Sequence, residues 1–295
     1  MVTRNQETLQ STNMETNQTR LKEVLAVVNN KGGVGKTTTV QSLAVAITRQ
    51  DRNMRVLVID LDPQGDLTKL VRGSMMSYAG SVTEAMTSDG GRLTVYKGHN
   101  GIYYVPSSPE LQKIEPKLME QMQPYMVLRR LLLTEFTDNT PEGIKTFEQD
   151  GIKPVLSTIP ELFDYVLIDC PPALSMCTYN AMAVASGLLI PVQMEGLSVS
   201  GLAPVIVEME RVKRELNPQL ELRGILPVMV DARPNISKSF IAYLEQAYGD
   251  NVTTTIIPRS VRVNEAQTKK QDIYEYKQWS PVANAYESLA KELFG

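Results

Sequence analysis

The chain has 295 residues, 42% hydrophobic and 21% charged, which supplies a sizeable core and excludes a wholly disordered protein. Thirty Lys and Arg against 33 Asp and Glu leave a net charge of -3, so attraction to a polyanion must come from a local patch. Two cysteines, Cys170 and Cys177, and one histidine, His99, are too few for a disulfide framework, a four-thiolate cage or a His-built metal cluster.

In chain order, residues 1–22 form a polar arm without the apolar stretch of a secretory leader. No run reaches the roughly 18 apolar residues that span a bilayer, so the expected location is the cytoplasm. From there, short β-branched runs alternate with helical patterns. Strands are predicted at 24–28, 56–59, 165–168, 188–192, 224–230 and 252–257. Helices are predicted at 38–49, 127–136, 203–216, 239–248 and 282–294. Near-continuous apolar strands separated by helices imply a parallel sheet buried on both faces. The expected fold class is α/β, a doubly wound, mostly parallel sheet with helices on both faces. Residues 23–295 are expected to form one domain. The stretch 137–157, rich in Asp, Asn, Gly, Pro and Thr, reads as a surface insertion within it.

The stretch Asn30-Lys31-Gly32-Gly33-Val34-Gly35-Lys36-Thr37-Thr38 lies between a predicted strand and a predicted helix. Glycines there let backbone N–H groups curl around phosphate at a helix start. Lys36 supplies a charge for the β- and γ-phosphates, and the Thr37 hydroxyl suits Mg²⁺. The usual first glycine of such a loop is replaced by Asn30, and a second lysine, Lys31, stands beside Gly32.

Two strands end in carboxylates. Asp60 and Asp62 follow the run 56–59, two residues apart and pointing the same way, where they could act on Mg²⁺ through water and on the attacking water. Asp169 ends Tyr165-Val166-Leu167-Ile168-Asp169-Cys170-Pro171-Pro172 and would hold the Mg²⁺ shell. Asp66 reads as a turn former, and Cys170 and Cys177 as packed thiols rather than nucleophiles.

Lys31-Gly32-Gly33-Val34-Gly35-Lys36-Thr37-Thr38 resembles the deviant Walker A motif of the ParA/MinD ATPases. Further likeness lies at Asp60-Leu61-Asp62-Pro63-Gln64-Gly65, where Asp66 departs from the family's Asn, and at Asp169-Cys170-Pro171-Pro172. It continues at Pro191-Val192-Gln193-Met194-Glu195, Met229-Val230-Asp231-Ala232-Arg233 and Ile257-Pro258-Arg259-Ser260-Val261-Arg262. The later segments narrow the likeness to ParA-type partition ATPases. The resemblance implies ATP and Mg²⁺ as cofactors, with Lys31, Lys36 and Asp62 as catalytic residues. Nucleotide contacts would come from Lys31, Gly32, Gly33, Val34, Gly35, Lys36, Thr37, Thr38, Pro258 and Arg259, and metal contacts from Thr37, Asp60 and Asp169. Lys31 would reach the partner's nucleotide in an ATP-closed homodimer, and Asp62 would orient the hydrolytic water. Arg233 and Arg262 would hold DNA phosphates without sequence preference. A ParB-like centromere-binding protein would stimulate hydrolysis, and the protein would be nucleoid-associated.

Three other classes are open to a phosphate loop of this kind. A MinD-like membrane-positioning ATPase needs a basic amphipathic tail, whereas 281–295 carries Glu287, Lys291 and Glu292 and reads as a closing helix, so no membrane partner is expected. A metal-cluster carrier lacks ligands in two cysteines. A metabolic ligase or kinase would not share the segments beyond the loop. About 22 residues before the first strand are too few for a helix-turn-helix operator reader.

Overall fold

The computed structural model describes residues 19–71, 80–134, 158–193, 201–231 and 234–295. Seven strands form one sheet in the order β3-β4-β2-β5-β1-β6-β7. They are β1 (Glu23–Val27), β2 (Val56–Asp60), β3 (Tyr96–Lys97), β4 (Tyr103–Val105), β5 (Tyr165–Asp169), β6 (Gly187–Gln193) and β7 (Glu221–Val228). Every neighbouring pair is parallel except β3 with β4. The expected doubly wound α/β class is what the strands adopt.

Alternation along the strands explains the layers, because successive side chains face opposite ways. Val24, Ala26, Leu57, Ile59, Val166 and Ile168 enter one apolar cluster, together with the helices Val127–Leu132, Met176–Val184 and Leu202–Glu215. Leu25, Val27, Val56, Val58 and Leu167 enter the other, against the helices Lys36–Gln50 and Pro281–Phe294. Ser280 starts the last helix, accepting a hydrogen bond from Ala283 N with Pro281 in the first turn. Its Val282, Tyr286, Leu289 and Leu293 are buried, as a closing helix requires.

Two parts of the sequence reading differ from the structure. The predicted strand 252–257 is not a strand. It meets β7 at one isolated bridge, Ile225 to Val252, and through hydrogen bonds from Thr253 N and Ile257 N to the Ile225 and Pro227 carbonyls, and a second bridge joins Val230 to Pro258 just beyond both segments. Thr255 N, the amide between those of Thr253 and Ile257 that a ladder to β7 would use, donates instead to the Glu292 carboxylate on the last helix at 2.9 Å, which also accepts Thr254 N at 2.6 Å. The predicted helix 127–136 is described only as Val127–Leu132. The stretch 137–157 lies outside the described residues, as does 1–18 of the arm. The short strands β3 and β4 and several helices of four to eight residues went unpredicted, being too short for a periodic signal.

Candidate functional site

The site is assembled by register. Val27 of β1 pairs with Asp169 of β5, and Asp169 pairs with Asp60 of β2. The phosphate loop follows β1, so this alignment brings the loop and both carboxylates to the same carboxyl edge of the sheet, where open α/β sheets take ligands. The loop turns on Gly33 (φ 75°) and Gly35 (φ 78°), left-handed conformations that side chains with a Cβ adopt at a cost. No atom lies within 4 Å of where a Cβ on Gly33 would stand, and a Cβ on Gly32 would meet only Pro172 Cβ at 3.9 Å, so the loop is open on this side. The helix Lys36–Gln50 starts immediately after Gly35. Its first N–H groups therefore face the loop's concavity, the arrangement that receives an anion.

Lys36 is buried, and its ammonium donates to the Lys31 carbonyl at 3.0 Å. Burial pulls its pKa down, against the opposing fields of Asp169, Cys170 and Asp62. A desolvated ammonium surrounded by carboxylates is held where an anionic ligand would be strongly felt. Thr37 donates its hydroxyl to Asp169 Oδ2 at 2.7 Å. The other oxygen, Asp169 Oδ1, is buried and has no hydrogen-bond partner. Burial, reinforced by the Asp60 charge, holds the Asp169 carboxyl well above the usual range. Burial likewise raises Asp60, to about 6, although Thr68 hydrogen-bonds to Oδ2 through both its N–H (2.8 Å) and hydroxyl (2.6 Å). Asp60 Oδ1 accepts from Asp62 N at 3.1 Å.

Two crowded buried carboxylates with an orphan oxygen between a hydroxyl and a phosphate loop fit a divalent cation, which would keep them ionised. Among the described residues no three His, Cys, Asp or Glu side chains converge on a ready-made metal site. The donor set therefore suits Mg²⁺, which binds through one or two protein oxygens plus waters and substrate phosphates. Asp62 lies at the surface end of this group. Its Oδ1 accepts from Gln64 N at 2.9 Å, and its carbonyl accepts from Ser107 Oγ at 2.7 Å.

Beyond Gly35 and Thr38 a second cleft is lined by Met229, Pro258, Arg259, Val263 and Asn264. The Arg259 guanidinium pairs with Asp231 at 3.0 Å. Arg262 lies in the first turn of the helix Val261–Thr268 and pairs with Glu265 at 2.8 Å, itself bound by the Tyr276 hydroxyl at 3.0 Å. Arg233 lies outside the described residues, as do Met194 and Glu195. Asp66 opens the helix Asp66–Val71 and pairs with Lys69, in keeping with a local structural part. Cys170 and Cys177 are buried, and burial pushes the Cys177 thiol up to about 12, far from a thiolate.

Three residues that support the loop had no predicted role. Asn29, fully buried, accepts from Lys31 N at 2.9 Å and donates to the Pro191 carbonyl at 2.7 Å, tying the loop to β6. Gln193, at the end of β6, donates to the Gly33 carbonyl at 2.8 Å. Thr68 braces Asp60 as described. Asn29 sits just past β1 beside the glycines and Gln193 ends β6, positions visible in sequence, but the ties of Asn29 to Pro191 and of Gln193 to Gly33 join residues remote in the chain.

Residues 22–222 match the family described as an AAA domain. The chain is 33% identical over 274 residues to the chromosome-partitioning ATPase Soj of Thermus thermophilus, covering 91% of this chain and 94% of that one. It is 30% identical over 273 residues to the sporulation initiation inhibitor protein Soj of Bacillus subtilis, covering 92% and 98%. A solved structure of cobyrinic acid a,c-diamide synthase from Mycobacterium smegmatis, with bound ADP and magnesium, superposes with a TM-score of 0.69 at 28% identity, covering 92% and 93%.

Proposed function

The chain belongs to the ParA/MinD family of P-loop ATPases, and from that premise we propose that it is a Mg²⁺-dependent partition ATPase. ATP closes a homodimer, the dimer holds DNA without sequence preference, and hydrolysis stimulated by a ParB-like partner releases it. The observation that carries the catalytic part is the orphan Asp169 Oδ1 beside the Thr37 hydroxyl, in register with Asp60 at the mouth of the phosphate loop.

In this reading Gly32, Gly33, Val34 and Gly35 wrap the phosphates with backbone N–H groups. Lys36 leaves the Lys31 carbonyl for the β- and γ-phosphates, and Thr38 extends the cradle. Thr37, Asp60 and Asp169 would hold Mg²⁺, which would neutralise phosphate charge. Asp62 orients a water against the γ-phosphorus. A bond forms from that water to phosphorus, the bond to the β–γ bridging oxygen breaks, and ADP leaves. Pro258 and Arg259 flank the adenine, with Arg259 exchanging Asp231 for the nucleotide. Lys31 reaches the partner's phosphates, and Arg233 and Arg262 contact DNA. In this reading 23–295 works as one domain, preceded by the polar arm 1–22 and carrying the insertion 137–157.

The membrane-positioning alternative needs a free amphipathic tail. The apolar face of Pro281–Phe294 is buried against the helix Lys36–Gln50, and no described helix is long and apolar enough to cross a membrane. Co-sedimentation with random-sequence DNA and with anionic liposomes, each with and without ATP, tests the choice. Retention on DNA only with ATP is expected. ATP-dependent retention on liposomes alone would replace the partition reading with the membrane one.

A further inference from the structure

The helix Val261–Thr268 ends in a Schellman turn. Gln271 N donates to the Ala266 carbonyl at 3.0 Å and Lys270 N to the Gln267 carbonyl at 2.9 Å. Such a turn needs a left-handed residue, ordinarily glycine, at the position Lys270 occupies. Lys270 adopts it with φ 55°, one of three described non-glycine residues at positive φ. A β-carbon there costs free energy that glycine would not, and strain of this kind points to a function for the side chain that brings it.

Lys270 lines a cleft of about 370 Å³ together with Thr37, Asp66, Lys69, Leu70, Gln267 and Thr268. The cleft opens on Thr37, the residue that touches Asp169. Of its two lysines, Lys69 is committed, to Asp66 at 2.8 Å and to the Gln64 carbonyl at 2.6 Å. Lys270 has no side-chain hydrogen bond or ion pair among the described residues. The adjoining site gains negative charge when it is loaded, because a triphosphate with its Mg²⁺ carries about two negative charges. The Gln267 side chain donates to Thr38 Oγ1 at 3.0 Å, which fixes the end of this helix against the phosphate loop's own helix and sets where Lys270 stands.

We infer that Lys270 is a nucleotide-positioning cation, held in a left-handed turn beside Thr37 so that its charge acts on the phosphates of bound Mg·ATP. This rests on the phosphate-loop reading above. It adds a cation from outside the loop motif, carried by the element that also bears Arg262.

The test compares Lys270→Gly, Lys270→Asn and Lys270→Arg in the full chain, with Lys36→Ala in parallel. The readouts are the thermal midpoint without nucleotide and Mg·ATP affinity by calorimetry. Glycine and asparagine both accept the left-handed turn and remove the charge. Glycine is expected to raise the midpoint by about 1–3 °C, relieved strain outweighing the added chain entropy. Both are expected to weaken Mg·ATP about five- to tenfold, while arginine stays within about twofold of the parent. Unchanged affinity in Lys270→Gly and Lys270→Asn overturns the inference, including the case in which only DNA binding falls. A lowered midpoint in Lys270→Gly overturns the strain argument on which it stands. Lys36→Ala should abolish Mg·ATP binding. If it does not, the phosphate-loop reading itself has failed, whatever Lys270 does.

Discussion

At the scale of single residues, backbone and side-chain roles separate cleanly at Lys31. Its N–H donates to Asn29 Oδ1 and its carbonyl accepts the Lys36 ammonium, and both contacts survive in alanine. Lys31→Ala should therefore bind nucleotide within about threefold of the parent and lose ATP-induced dimerisation. Light scattering with a non-hydrolysed ATP analogue checks it, and a mutant dimer as stable as the parent's would refute the trans role. Asp62 has a structural part as well, since Oδ1 caps Gln64 N at 2.9 Å. Asp62→Asn keeps an oxygen for that bond and removes the charge. It should still bind Mg·ATP and dimerise, hydrolyse at least about a hundredfold more slowly, and stay longer on DNA. Faster release from DNA than the parent would contradict it. The glycines, Lys36, Thr37, Asp60 and Asp169 were legible because the loop motif and strand-end aspartates are local patterns. Asn29, Gln193 and Thr68 were not, because each matters through a partner on another strand or turn, such as the Pro191 carbonyl for Asn29.

At the scale of elements, the long buried strands declared themselves by unbroken apolar runs, and the helix after the phosphate loop by the glycines that precede it. The error at 252–257 has the opposite character. Thr253, Thr254 and Ile257 have the composition of a strand, but a carboxylate from the last helix captures the Thr255 amide that a ladder would use. That contact has a measurable pH signature. Partial burial opposes ionisation of Glu292, yet the hydrogen bonds from Thr255 and Thr254 prevail and lower its pKa below the ordinary 4.5. A carboxyl depressed in the folded state stabilises it above the unfolded value, and the contribution is lost as pH falls through the folded value. Glu292→Ala should thus cost about 1 kcal/mol near pH 7, with the gap to the parent closing below about pH 4. Denaturant titrations across that range decide it, and a gap that widens at acid pH would be inconsistent with the capture.

At the scale of the whole molecule, a net charge of -3 means that binding to a polyanion depends on grouped cations. Between 229 and 270 six Lys and Arg face four acids, and Arg262 and Arg259 are already paired with Glu265 and Asp231. A single protomer therefore offers little, and under the proposed ATP-dependent pairing two protomers would offer twice the excess along one duplex. Replacing Arg233 and Arg262 by alanine should weaken binding alike on all sequences and leave ATP-dependent dimerisation intact. The slope of log affinity against log salt should fall by about 3–4 if both arginines contact phosphates in both protomers. A salt titration with an ATP analogue measures this, and an unchanged slope would place the DNA surface elsewhere.

The ends of the sheet bear on how copies of this molecule can meet. On one side it finishes in β3, two residues long and antiparallel to β4. On the other, β7 is strapped by Thr253 N and Ile257 N, which donate to its Ile225 and Pro227 carbonyls. Continuous pairing of strands between molecules, the usual route to irreversible aggregates, finds little to grip at either margin. If copies pair through the loop-bearing rim, as proposed above, the pairing uses no strand edge, so a concentrated solution should stay free of fibrous aggregates with or without nucleotide.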